Sequence, residues 1–259
     1  MEVIKLWEHL EGEREDCPVI EEYAIKDGKR HSCIIVCPGG GYNHVSGGHE
    51  GEKIAKKFHE LGISAFSLHY RLYPYLHPTP MNDLKRAIKW VIHNADKYNI
   101  NPDKIGLIGF SAGAHLACSA LENLDNFNDK PIDEIDKVKI KITSLALCYP
   151  VISLSKQISH KGSRQHLVGD NMDMARQLSC EMNVKEDMPP TFIWHTLEDQ
   201  SVNPLNSIEM AKALKKANVP YELHIFENGL HGLDLAEEVE GTRQWFDLYH
   251  SWLSRLGFC

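Results

Sequence analysis

Three residue types in this chain, in this order, suit nucleophilic acyl transfer: a serine at 111, an aspartate at 199 and a histidine at 231. A serine hydroxyl is a weak nucleophile until a base takes its proton, and the base needs an acid to orient it. Ser111 lies within Gly109-Phe110-Ser111-Ala112-Gly113. The apolar run Ile105–Phe110 before it reads as a buried strand, and Ala114, Ala117, Ala120 and Leu121 after it suit a helix packed closely on a sheet. A serine at such a junction occupies a sharp turn with its hydroxyl exposed. The helix N-terminus that follows offers free N–H groups where an oxyanion would form.

The acid and the base are sought just after later strands, because ligand sites in open α/β sheets lie at the carboxyl ends of the strands. Asp199 follows the apolar run Thr191–His195, with Glu198 as its adjacent rival. His231 follows the last strand in Asn228-Gly229-Leu230-His231-Gly232, a glycine-flanked loop. His224 falls inside that strand and His115 inside the helix after Ser111, so neither readily serves both Ser111 and Asp199. An oxyanion hole needs two N–H donors aimed at one point. Ala112 supplies one; Gly39-Gly40-Gly41 supplies the other, through Gly40 or Gly41. The alternative of a phosphate-binding loop lacks both G-x-G-x-x-G and a Lys-Ser/Thr signature.

The elements needed to position these groups are legible as hydrophobic patterning. Val3–Trp7 and Val19–Ile25 read as an antiparallel edge joined through the charged turn Glu11–Asp16. Cys33–Cys37, Ser64–Tyr70, Ile105–Phe110, Ile142–Tyr149, Thr191–His195 and Tyr221–Phe226 read as strands alternating with helices. The helices are Glu50–Leu61, one after Pro74–Pro80 capped by Asn82 or Asp83, the one after Ser111, Asn206–Ala217 and a final one carrying Trp245, Tyr249, Trp252 and Leu253. Asp125–Lys139 reads as a charged loop. Residues 150–190 break the rhythm with a polar stretch, including a helix near Met172–Met182. The expected fold is a single α/β domain over residues 1–259, with about eight mostly parallel strands, helices on both faces, and 150–190 as an insertion lining or capping the pocket.

Composition is consistent with this. The chain has 259 residues, 42% hydrophobic, and a formal net charge of −8, with no basic block. That argues against nucleic acid or an anionic membrane as a partner. Seven cysteines, an odd number, fall largely in apolar contexts and read as buried free thiols in a reducing compartment. With no leader pattern and no run of 18 apolar residues, the expectation is a cytoplasmic protein acting on a small molecule, with a homo-oligomer left open. The fifteen histidines are scattered, without His-Glu-x-x-His or Cys-x-x-Cys, so no metal and no organic cofactor is expected.

The chain resembles the α/β-hydrolases of the esterase/lipase type, most closely the small esterases grouped with acetylxylan and other carbohydrate esterases. Carrying the resemblance are Pro38-Gly39-Gly40-Gly41-Tyr42, His69-Tyr70-Arg71-Leu72, Gly109–Gly113 with His115-Leu116-Ala117, Cys148-Tyr149-Pro150-Val151-Ile152, His195-Thr196 to Asp199, and Gly229–Gly232. It runs from about residue 20 to the C-terminus. It implies Ser111 as nucleophile, Asp199 as acid and His231 as base. Pro38 stands where hormone-sensitive-lipase-like esterases carry histidine, which points away from that branch, and Ala114 replaces a glycine often found there.

The function expected is hydrolysis of short, chiefly acetyl, esters of sugars through an acyl-enzyme. Tyr42, Tyr73, Tyr149, His160 and His166 are expected to border the pocket, since tyrosines and polar groups suit sugar stacking and hydrogen bonding. The alternatives are a general carboxylesterase or lipase, an oligopeptidase- or lactone-cleaving hydrolase with the same triad, and a non-catalytic binding protein on a hydrolase fold.

Overall fold

The computed structural model describes residues 2–7, 17–124 and 131–259. The turn expected at Glu11–Asp16 and the start of the loop expected from Asp125 lie outside the described residues. The strands are β1 (Val3–Lys5), β2 (Val19–Tyr23), β3 (His31–Cys37), β4 (Ser64–His69), β5 (Ile100–Phe110), β6 (Ser144–Cys148), β7 (Thr191–Thr196) and β8 (Tyr221–Phe226). They form one sheet in the order β1-β2-β4-β3-β5-β6-β7-β8. The β1–β2 and β2–β4 pairs are antiparallel, and every pair from β4–β3 to β7–β8 is parallel.

The central strands are apolar almost throughout because both faces are covered. Cys33, Ile35 and Cys37 of β3 belong to one core with Leu84, Ile88 and Val91 of α2 (Thr79–His93) and Ala114 and Ala117 of α3 (Ala112–Glu122). Ile34 and Val36 belong to the other, with Ile54 and Phe58 of α1 (Lys53–Glu60) and Trp245, Tyr249 and Leu253 of α7 (Trp245–Arg255). The alternation along one strand thus assigns helices to the two faces. The edge strand β8 is only half-buried along its whole length.

Several local expectations need correction. Strand β5 begins at Ile100, which pairs with His31, and the register then slips before Cys33 pairs with Ile105. Asn101-Pro102-Asp103 therefore sits in a bulge within the strand rather than before it, where a proline without an N–H is tolerated. Helix α2 starts at Thr79, with Pro80 in its first turn, so neither Asn82 nor Asp83 caps it. Asp83 lies fully buried and pairs with Arg71, its Oδ1 2.6 Å from Nη2 and its Oδ2 2.9 Å from the Arg71 backbone N.

The stretch after β6 contains two helices, α4 (Lys161–Val168) and α5 (Met172–Gln177), then a 3₁₀ turn at Cys180–Met182. The helix expected over Met172–Met182 thus ends earlier. Helix α4 escapes pattern reading because its cap is a histidine: the His160 ring accepts from the Ser163 N–H at 3.2 Å. Ile152, Leu154, Leu167, Ala175 and Leu178 join the α2/α3 core. Helix α6 (Leu205–Lys216) follows β7 and places Met210 and Leu214 on the same face of the sheet. Among the described residues no helix is long and apolar enough to cross a membrane.

Candidate active site

Ser111 joins β5 to α3 with φ 52° and ψ −117°, a strained conformation for a residue with a side chain. The turn is pinned on both sides: Ser111 N donates to Cys148 O at 2.9 Å, and Val151 N donates to Ser111 O at 3.1 Å. Gly113 is dictated by space, since a Cβ there would lie 2.1 Å from the Cys37 carbonyl oxygen. Helix and strand can approach this closely only without a side chain, and the approach holds Ser111 at the carboxyl end of β5.

From Ser111 a continuous chain of hydrogen bonds runs to Asp199. His231 Nε2 is 2.8 Å from Ser111 Oγ, and His231 Nδ1 is 2.6 Å from Asp199 Oδ2. An ionised carboxylate only accepts, so Nδ1 carries the ring proton and Nε2 is free to take the serine's. Asp199 Oδ1 accepts from the backbone N–H groups of Ser201 and Val202, each at 2.9 Å. Its Oδ2 also accepts from His195 Nε2 at 3.1 Å. Burial alone would favour the neutral acid, but the bonds from His195, His231 and the backbone outweigh it and hold the carboxyl well below the usual carboxylate range. The rival Glu198 turns elsewhere: its Oε2 accepts from Gly229 N at 2.7 Å, fixing the base of the His231 loop.

Gly40 and Gly41 line the same pocket as Ser111 and His231. Gly40 has φ +125°, and a Cβ on it would meet the His44 carbonyl oxygen at 2.0 Å. Its own carbonyl accepts from Asn43 N and His44 N at 3.0 and 3.2 Å, a tight turn that leaves the loop's backbone facing the pocket. Ala112 is the first residue of α3, so its N–H has no partner inside the helix. His166 Nδ1 donates to Gly41 O at 2.9 Å and steadies the loop from the α4 side.

The pocket encloses about 330 Å³ and is lined by backbone glycines and by Asn43, His44, Ser46, Glu50, His160, His166 and Ser201 around Ser111 and His231. Of the residues expected at its border, His160 and His166 are there. Tyr42 and Tyr149 are not; both are almost wholly buried. The Tyr42 hydroxyl donates to His115 Nδ1 at 2.7 Å, and the Tyr149 hydroxyl donates to Glu50 Oε1 at 2.7 Å. A tyrosine ring fits a core once its hydroxyl finds an internal partner, and both have one. Tyr73 is exposed and does not line the pocket, although its ring packs on His166 with centroids 5.4 Å apart.

Glu50, Asn43, His44, Ser46 and Ser201 escaped sequence reading. They lie in loops and a π-helical turn (Gly47–Glu52) without periodicity, where only proximity to the glycine run signals a role. One trio of described residues, Cys118, Glu122 and Cys180, brings potential metal ligand atoms within 4.8 Å of one another. Burial drives Glu122 and Cys180 toward their neutral forms, and the trio is not part of the pocket lining.

Comparison with known proteins fits this geometry. The model of the BD-FAE family matches residues 23–214. Endo-1,4-beta-xylanase B of Butyrivibrio fibrisolvens is 35% identical over 85% of this chain and 35% of its own length. The acetylxylan esterase of Xylanibacter ruminicola is 29% identical over 86% of this chain and 44% of its own. This chain thus spans well under half the length of those two relatives. Among solved structures, an acetyl ester-xyloside bifunctional hydrolase from Caldicellulosiruptor lactoaceticus superposes with a TM-score of 0.92 at 41% identity, covering 99% of this chain and 97% of that one. A carboxylesterase from Lactobacillus plantarum gives 0.78 at 26% identity, covering 93% of each. The chain belongs to the BD-FAE family, within the α/β-hydrolase esterases.

Proposed function

We propose that the protein is a serine esterase that removes short acyl groups, chiefly acetyl, from esters of sugars or oligosaccharides. The observation that carries the reading is the chain Ser111 Oγ, His231, Asp199, with links of 2.8 and 2.6 Å, opening into a pocket of about 330 Å³. Ser111 Oγ attacks the ester carbonyl carbon while His231 Nε2 takes its proton. Asp199 keeps the ring in the required tautomer and stabilises the imidazolium. The N–H groups of Ala112 and of Gly40 or Gly41 bind the oxyanion. The imidazolium then protonates the leaving alcohol. Water enters, loses its proton to His231 and attacks the acyl carbon; the C–Oγ bond then breaks, the imidazolium returns the proton to Ser111 Oγ and the free acid leaves.

The acetyl-sugar assignment draws on the polar lining (Asn43, His44, Ser46, His160, His166 and Ser201), which suits a hydroxyl-rich alcohol better than a lipid chain. It also draws on similarity to proteins named acetylxylan esterase and acetyl ester-xyloside hydrolase. A reducing, cytoplasmic setting is supported by the buried thiols of Cys33, Cys37, Cys118, Cys148 and Cys180, none of which is in a disulfide.

The test is hydrolysis of p-nitrophenyl esters from acetyl to octanoyl, beside acetate release from an acetylated xylo-oligosaccharide. Activity falling steeply beyond acetyl, with acetate released from the sugar, supports the reading. Equal or greater activity on long chains moves the protein to the general carboxylesterases.

A further inference from the structure

Glu50 is a carboxylate with only 4% of its surface exposed, on the wall of the pocket that holds Ser111. The mechanism above gives it no part. Its two oxygens both receive donors: Oε2 accepts from Gly39 N and Oε1 from the Tyr149 hydroxyl, each at 2.7 Å. The Tyr149 oxygen in turn accepts from Asp234 N at 3.2 Å, so its own proton is committed to Glu50. Two donors on one carboxyl favour the ionised form, which accepts both most strongly. Burial nevertheless raises its pKa above the ordinary glutamate value, and the Tyr149 and Gly39 bonds and the charge of His231 offset that only in part.

The connections of this one group reach both halves of the site. Gly39 precedes Gly40 and Gly41. Tyr149 lies at the end of β6, packs edge-on to the His231 ring at 5.0 Å, and bonds to Asp234, three residues beyond His231. We propose that Glu50 is a positioning residue of the hydrolytic site: it fixes the glycine loop directly and the His231 loop through Tyr149, and its charge favours the imidazolium. The inference rests on the esterase reading above.

The charged groups around His231 on the packed elements are few. Asp199 bonds to it; Glu50, His44, His160 and His166 share its pocket, and Glu198 accepts from Gly229 N at the base of its loop. Asp234 on its own loop is paired with Lys53 at 2.9 Å and approached by His49 at 3.7 Å. With Asp234 already paired to a cation, Glu50 is the second negative charge, after Asp199, that an imidazolium at 231 meets.

The experiment compares Glu50→Gln and Tyr149→Phe with the parent protein on p-nitrophenyl acetate, rates being normalised to the folded fraction. Glutamine can accept from only one of the two donors and presents an amide to the other. For Glu50→Gln the expected result is kcat lower by about 10²-fold, the scale of a misplaced oxyanion donor, with KM changed less than about threefold. The acid limb of kcat/KM moves to lower pH, because a charge favouring the imidazolium is gone. Tyr149→Phe keeps the charge, so it lowers kcat and leaves the limb in place. A merely structural role would lower stability and move no limb. Parent-like kcat in Glu50→Gln, or a loss of rate with the limb unmoved, overturns the proposal. Should Glu50→Gln not fold, parent-like kcat in Tyr149→Phe overturns it and a loss of at least tenfold supports it. Failure of the esterase reading is separate: it would show as activity surviving in Ser111→Ala.

Discussion

His195 near the end of β7 and Asp199 in the loop that follows are joined Nε2 to Oδ2 at 3.1 Å, with both side chains wholly buried. His195 Nδ1 is 2.8 Å from Ser207 Oγ, and Nε2 also lies 3.0 Å from the Val202 carbonyl oxygen. Both groups near Nε2 are acceptors, so Nε2 carries a proton, while Nδ1 is bonded to the serine hydroxyl. The Nε2–H of His195 thus braces the carboxylate that His231 leans on. His195→Phe keeps the ring volume and removes the donor, while Asp199 retains Ser201, Val202 and His231. The expected result is a fall in kcat of about tenfold, the equivalent of ~1.4 kcal/mol, with KM nearly unchanged. An unchanged kcat would assign His195 to packing alone.

Ser111→Ala removes the proposed nucleophile and leaves the pocket walls in place. The expected loss of kcat is roughly 10⁴-fold or more, the scale of triad removals in serine hydrolases, with the melting temperature preserved or raised, since φ 52° is strained for serine and alanine alike. The check is steady-state hydrolysis of p-nitrophenyl acetate together with labelling by a serine-reactive organophosphonate. Near-parental turnover in the variant would remove Ser111 from the mechanism.

The elements that bring Ser111, Asp199 and His231 together were legible because each announces itself locally. An apolar run fixes a buried strand, and glycines at 109, 113, 229 and 232 mark the turns beyond two of those strands. What was not legible depends on contacts distant in sequence. Glu50 finds Tyr149 across 99 residues, and Tyr42 finds His115 across 73. No local pattern tells a tyrosine with a buried partner from one facing a substrate. His160 could be placed near the pocket, but its role as a cap for α4 could not, because histidine is a rare cap.

Asp83 illustrates the same limit and carries a stability prediction. Its spacing after Pro80 suggests a cap, yet it lies inside α2, fully buried, accepting from the Arg71 side chain and backbone and from Trp7 Nε1 at 3.4 Å. Breaking such a pair leaves a mostly buried guanidinium, its side chain 16% exposed, without its counter-charge. Asp83→Ala is expected to destabilise the fold by about 3 kcal/mol or more, measured by urea denaturation. A loss under about 1 kcal/mol would mean that water or another acceptor replaces the carboxylate.

His115 makes the fold sensitive to acid. It lies in α3 and is fully buried; its Nε2–H donates to Leu178 O at 2.8 Å and its Nδ1 accepts from the Tyr42 hydroxyl at 2.7 Å. Burial holds its pKa down to about 4. An unfolded chain would titrate this ring near 6.5, so between the two values the unfolded state binds the extra proton. Stability from the neutral ring is therefore complete above about pH 6.5 and is lost as pH falls toward 4, by on the order of 3 kcal/mol. His77 is lowered to about 4 in the same direction by its own burial, so His115 accounts for only part of the slope. His115→Gln retains an amide to donate to Leu178 but has no ring to protonate. The variant is expected to melt lower than the parent at pH 7.5, where the fit is poorer, and to lose less between pH 7 and pH 4.5. Thermal melts across that range decide it: an equal loss in both proteins would place the acid sensitivity in other groups.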